Sequence, residues 1–308
     1  MGNRKKGFQI TAWMIQGISI LIIMGMAVWT IGQTGILSQI GTENVYWERA
    51  RFILGQGGAT LYTGSSECSL GYSLLLVPIC ALIQSPYGAY KAAILLNSIF
   101  LCFAYLAATG VARKLFPKEN ESFLSASVFF AVFCPTLYAS RTYTGPEMAV
   151  LFLTWLSIYL LAAIWKAPRR FRQRLYWRLH LVLLAVCMIL IGFLQITALG
   201  VILGVTALLA YYVKQKRVEE NSFLLFVLAV LLGLAAGNIA ERIFLYRFSA
   251  DLDITTIHSS LEVLLDAIGD LQDTDYLATL FTSLIGKLYS MMIGSFLLIC
   301  PALWYLCR

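Results

Sequence analysis

Residues 69–83 read "SLGYSLLLVPICALI". The stretch is apolar but only 15 residues long, whereas a helix needs about 20 residues to cross a hydrocarbon layer of about 30 Å. Whether it crosses sets the direction of every segment after it. The chain around it has 308 residues, 59% of them hydrophobic and 13% charged, with a mean hydropathy of +0.77. A soluble domain is roughly half apolar and a quarter charged. The excess falls in long runs at roughly 9–31, 88–112, 122–140, 147–165, 179–196, 198–213, 222–245 and 284–307. These runs predict an all-α, polytopic transmembrane bundle of about eight spans.

Charge placement decides the short stretch. If the basic N-terminus is cytoplasmic and 69–83 stays on one side, "RKLFPK" (113–118), "KAPRRFRQRLYWR" (166–178), "KQKR" (214–217) and Arg308 all fall inside. Sixteen of the 23 Lys and Arg residues are then cytoplasmic, and 12 of the 16 acids are outside, as the positive-inside rule expects. If 69–83 crosses, the three clusters flip outward and the rule fails. The reading therefore places 69–83 at the outer surface, half-buried or re-entrant. It makes 32–87 one large extracytoplasmic loop, with an outer turn at 140–147, a long outer loop at 246–283, and both termini cytoplasmic in the plasma membrane. Residues 1–308 form one integral-membrane domain with no internal repeat and no soluble module. The first run, after "MGNRKKGF", spans about 23 residues, longer than the 7–15 of a signal-peptide core, and is expected to stay as a helix.

Other features are bland. The net charge of +7 clusters beside helix ends, which favours anionic lipid headgroups over nucleic acid as neighbours. None of the seven cysteines has zinc or disulfide-framework spacing. His180 and His258 have no Cys, His or acid at ligand spacing, so no metal ligand is assigned. In "DITTIHSSLEVLLDAIGDL" (253–271), Ile254, Ile257, Leu261, Leu264, Leu265, Ile268 and Leu271 recur at helical spacing, which predicts an amphipathic helix over the outer face.

The polar residues gather just after the first run, in "GTENVYWERARFILGQG" (41–57). Val45 to Leu54 reads as a helix, with Glu43 just before it, where the helix dipole favours a carboxylate. Carboxylates beside a membrane are costly unless paired or wet; Arg49, Arg51 and Arg141 are available on the same side. Glu43 reads either as a working carboxylate or as the partner of Arg49 or Arg51. Glu147 reads either as a site residue or as an acid at a helix N-terminus behind Pro146.

The order of motifs resembles the GT-C glycosyltransferases, closest to the protein O-mannosyltransferase and lipid A aminoarabinose transferase group. "ENVYWERARFILGQG" is similar to that group's "D-E-x-Y…A…G", with Glu43 at the Asp position. "SLGYSLLLVP" (69–78) resembles "P-P-G-Y-x-L-L-x-x-P" with both leading prolines lost. "AAILLNS" (92–98), "RKLF" (113–116), Glu147 in "TYTGPEMAV" and "GKLYSMMIGSF" (286–296) follow in the family's order. The resemblance covers the N-terminal two-thirds well and the rest loosely. It implies a GT-C-like bundle whose first outer loop carries a juxtamembrane helix.

It also implies a reaction. A polyprenyl-phosphate sugar presents its head at the outer leaflet, and an acceptor hydroxyl on a glycan, lipid or protein displaces the lipid phosphate with inversion. Glu43 would be the general base. Glu147 would orient the acceptor or hold a metal ion or water. Arg141, Arg49, Arg247 and Lys287 would meet the phosphate, and Tyr46 and Tyr72 would line the sugar site, interfacial aromatics being their ordinary explanation. No cofactor is fixed by this, and a divalent cation is left open. Two other functions compete: a catalytically inactive accessory protein that binds the same lipid, and a flippase for a lipid-linked saccharide. The second would place ionisable groups near the midplane of broken helices, whereas the acids here gather in the outer segments.

Overall fold

The computed structural model describes residues 2–33, 41–56, 69–132, 144–166, 174–195 and 198–252. No strand occurs among them. The helices are α1 (Gly2–Gln33), α2 (Gly41–Ile53), α3 (Leu70–Leu82), α4 (Pro86–Leu115), α5 (Glu121–Val132), α6 (Glu147–Lys166), α7 (Arg174–Leu194), α8 (Leu199–Lys214) and α9 (Glu220–Leu252). Within α1, α4, α6 and α9, the segments Ala12–Gly32, Pro86–Leu115, Glu147–Lys166 and Glu220–Arg247 are long and apolar enough to cross a membrane. Shorter apolar helices fall in the expected runs at 179–196 and 198–213 and in the first part of that at 122–140; residues 133–140, the run at 284–307 and the amphipathic segment at 253–271 lie outside the described residues. This fits an integral membrane protein.

Local chemistry sets the helix ends. Ser85 caps α4 by accepting from the Gly88 N–H at 3.3 Å, and Pro86 opens the helix where its missing N–H costs nothing. Asn120 caps α5, its Oδ1 accepting from the Ser122 N–H at 2.8 Å. Hydroxyls inside the apolar helices turn back onto the preceding turn. Ser98 donates to the Ile94 carbonyl at 2.9 Å, Thr109 to Tyr105 at 2.8 Å and Ser157 to Leu153 at 2.6 Å. This is how a polar side chain is satisfied where water is absent. Large apolar side chains such as Leu21, Leu203, Leu225 and Leu232 face outward, as lipid contact requires.

Side-chain contacts fix the helix directions. Phe100 and Phe103 meet Phe152 at 6.2 and 5.5 Å, and further along Lys114 sits over the Tyr159 ring at 4.6 Å, so α4 and α6 run the same way. Ile189 abuts Gly233 and Phe193 abuts Gly237, so α7 and α9 also run the same way. Two parallel neighbours require the chain to return between them: α8 lies between α7 and α9 in the chain, and the return from α4 to α6 includes α5 and residues 133–143, which lie outside the described residues.

α3 is the quoted apolar stretch. Its 13 residues rise about 20 Å, too short to cross, and it lies against α2 and the end of α7. Gly71 makes that approach possible: a Cβ there would fall on the Phe193 carbonyl, whose carbon would be 2.7 Å away. Gly71→Ala is expected to cost about 1–3 kcal/mol through forced displacement of backbone, read as a fall in unfolding free energy in detergent micelles. Gly200→Ala, in open space, is the control and should be near neutral.

Two sequence expectations change. α2 begins at Gly41 rather than Val45, so Glu43 lies within its first turn; a contact between Glu43 and Thr144 holds that turn in place. α9 runs on to Leu252, past the expected end at 245, so the outer loop set at 246–283 starts later.

Candidate functional site

α2 lies across one end of the bundle. Its residues touch the chain just before α6 (Thr144), the start of α4 (Tyr90) and the far part of α9 (Glu241, Phe244). These points belong to one end because α4 and α6 start there and α9 finishes there.

Glu43 is 6% exposed. One carboxylate oxygen accepts from the Thr144 backbone N–H at 2.9 Å, and the other accepts from the Thr144 hydroxyl at 3.3 Å. The Thr144 hydroxyl in turn accepts from the Trp47 indole N–H at 2.9 Å. Trp47 lies one turn along α2 from Glu43, so both grip the same residue, and segments 101 positions apart are joined. Burial pushes the Glu43 carboxyl up from 4.5 to about 7, because a charge there is poorly solvated. The two Thr144 hydrogen bonds oppose that rise, and the negative charge of Glu147 adds to it. Glu147, on the first turn of α6, is exposed. Its carboxylate folds back over Gly145, a position where any side chain would collide with it.

Beneath this pair the aromatic residues are packed. Tyr46 and Tyr72 meet edge to face at 5.2 Å, both buried. The Tyr72 hydroxyl donates to Asn97 Oδ1 at 3.2 Å. The two tyrosines expected to line a sugar site therefore form the floor under Glu43.

The expected cations divide. Arg49, expected to meet phosphate, is buried and forms an ion pair with Glu241 of α9 at 3.9 Å. Physically, a guanidinium on the inner face of α2 needs a carboxylate there. Arg247 is exposed on α9. Arg141 and Lys287 lie outside the described residues. Glu48 is half-buried, and burial raises its carboxyl while Arg51 opposes the rise. His180 is buried on α7. Among the described residues, no group of three or more His, Cys, Asp or Glu side chains could hold a metal ion.

Comparison with known proteins matches no family model, no curated protein and no solved structure. The site is therefore read from its own chemistry. A carboxyl that titrates near neutrality, fixed by two donors and accompanied by a second, exposed carboxylate, can exchange a proton at ordinary pH.

Sequence reasoning missed Thr144 and Glu241, and gave Asn97 only as part of the quoted "AAILLNS" stretch. Thr144 stood three residues before Glu147 on the same outer turn. Glu241 was an acid inside an apolar run, a signal that ordinarily marks a committed partner.

Proposed function

We propose that this chain is a membrane-embedded inverting glycosyltransferase that moves a sugar from a polyprenyl-phosphate donor to an acceptor hydroxyl. The end of the bundle that carries α2 would face away from the cytoplasm. The acceptor oxygen attacks the anomeric carbon as the bond from that carbon to the phosphate oxygen breaks. The lipid phosphate leaves with the bonding electron pair, and Glu43 takes the acceptor proton. Glu147, exposed beside it, orients the acceptor. The observation that carries this reading is the Glu43–Thr144 contact, which joins two acidic segments around a carboxyl that burial raises to about 7 against the pull of those same hydrogen bonds. Purified protein incubated with a panel of polyprenyl-phosphate sugars and acceptors should release lipid phosphate; absence of release across the panel rejects the activity.

The pH profile follows with a definite sign. A base must be deprotonated, so transfer should fall about tenfold per unit below pH 7 and level off above it. Stability goes the other way. The folded pKa, about 7, lies above the ordinary 4.5, so the folded chain retains a proton that the unfolded chain gives up. That stabilisation is fully present below 4.5 and is lost as pH rises through 7. A rate that rises through neutrality while unfolding becomes easier is the expected pairing.

One observation favours a second reading, a non-catalytic protein that binds the same lipid. Glu43 is only 6% exposed and already holds two hydrogen bonds, so it serves equally as a latch between α2 and α6. The Glu43→Gln variant separates the two readings.

A further inference from the structure

The opposite end of the bundle carries a second organised cluster. From Tyr90 to Lys114 along α4 is about 36 Å at 1.5 Å per residue, so this cluster is remote from Glu43. Trp165, at the end of α6, stacks on Tyr211 at 6.3 Å and 16° and leans on Tyr212 at 4.9 Å. Arg217 lies over the Trp165 ring, 5.1 Å from its centre.

The turn that delivers Arg217 is unusual. Lys216 has φ +54°, a left-handed conformation that a lysine adopts only at a cost. Its N–H donates to the Val213 carbonyl at 2.8 Å, and the Arg217 N–H donates to Tyr212 at 2.9 Å. The chain thus doubles back over the last turn of α8 and lays the guanidinium on the indole. Two of the acids at this end pair with other cations, Glu121 with Arg113 at 3.8 Å and Glu219 with Arg178 at 3.6 Å; Glu220, at the start of α9, is exposed. Lys166, Lys214, Lys216 and Arg217 are exposed and form no ion pair among the described residues.

From this arrangement we propose that the ends of α6 and α8 form a binding site for an anionic phospholipid, with the phosphate diester held by Arg217 and the lysines around it. The occupant is a lipid because the cationic ring closes onto an apolar path. Below Tyr211, α8 presents Leu208, Gly204 and Gly200 on one exposed face, and both glycines have open space where a side chain would stand. An acyl chain can lie along that shallow face while its headgroup meets the Trp–Arg pair. Aromatic rings and basic residues at the rim of an apolar bundle are suited to a headgroup layer. A soluble anion would use the charges and leave the apolar face idle.

The test uses the full chain in neutral detergent, titrated with phosphatidylglycerol, with phosphatidylcholine of the same acyl chains, and with inorganic phosphate. Thermal stability and native mass spectra are the readouts. Phosphatidylglycerol should raise the melting temperature and stay bound, while the other two should do neither. Arg217→Gln with Lys166→Gln should lower the anionic preference about 10–30-fold, from roughly fivefold per basic residue near an anionic surface. Lys216→Asn guards against misfolding, since asparagine tolerates the left-handed conformation while the ammonium is removed. It should keep the lipid-free melting temperature and weaken the lipid response about fivefold. Equal stabilisation by phosphatidylcholine, a full effect from inorganic phosphate, or variants that respond like the parent would each overturn the assignment.

Discussion

Glu43→Gln is expected to lower sugar transfer by about 10²–10⁴-fold, the contribution of a positioned general base, with little change in stability. The amide is nearly isosteric with the carboxyl. Its oxygen can still accept from the Thr144 N–H, so the tie between α2 and the start of α6 survives. What the amide cannot do is take a proton. A latch would behave otherwise: Gln would leave any lipid-dependent function intact. Glu43→Ala is the complementary variant. It leaves the Thr144 N–H and hydroxyl without their acceptor in a buried place, at about 1–3 kcal/mol. Loss of transfer in the Gln variant, with unfolding free energy changed only in the Ala variant, is the signature of a base that also anchors. Initial-rate assays and unfolding in the same micelles read both.

Arg49→Met should destabilise the fold by about 3–5 kcal/mol, because it removes the cation from a buried ion pair. Both side chains are less than a tenth exposed, and their charged atoms are 3.9 Å apart. The double variant Arg49→Met with Glu241→Leu should recover most of that loss, since well-packed apolar residues replace a buried ion pair at little net cost. Reversible unfolding of the four species measures the coupling. The same experiment bears on the site: an Arg49 engaged with Glu241 tethers α2 to α9, and the single variant should loosen the end of α2 that carries Phe52, which rests on Phe244 at 5.8 Å.

The helices were legible because lipid imposes one rule on every residue of a span: long apolar runs with few charges. Charge parity predicts that 69–83 stays at one surface, and the helix found there, α3, has 13 residues and packs on α2. The first turn of α2 was misplaced because Gly41 and Thr42 carry no helical signal of their own; the Glu43–Thr144 contact supplies it from 101 residues away. Glu43 and Glu147 could be paired from sequence because both start helices at one end of the bundle. The ion-pair partner of Arg49 could not be read from the sequence. Several acids share that end, and only the rotation of α2 decides that Arg49 faces Glu241 while Glu43 faces Thr144. Tyr72 was read as a site-lining ring, but nothing in the pattern could show that Asn97, on another helix, would accept its hydroxyl.

The most direct measurement is an infrared titration of the Glu43 carboxyl, taken as the difference between the parent protein and Glu43→Gln. The midpoint should lie at about 7 and move downward in Glu147→Gln, because one of the charges that raises it has gone. A midpoint at the ordinary 4.5, unmoved by Glu147→Gln, would contradict this, showing that the two acidic segments do not meet.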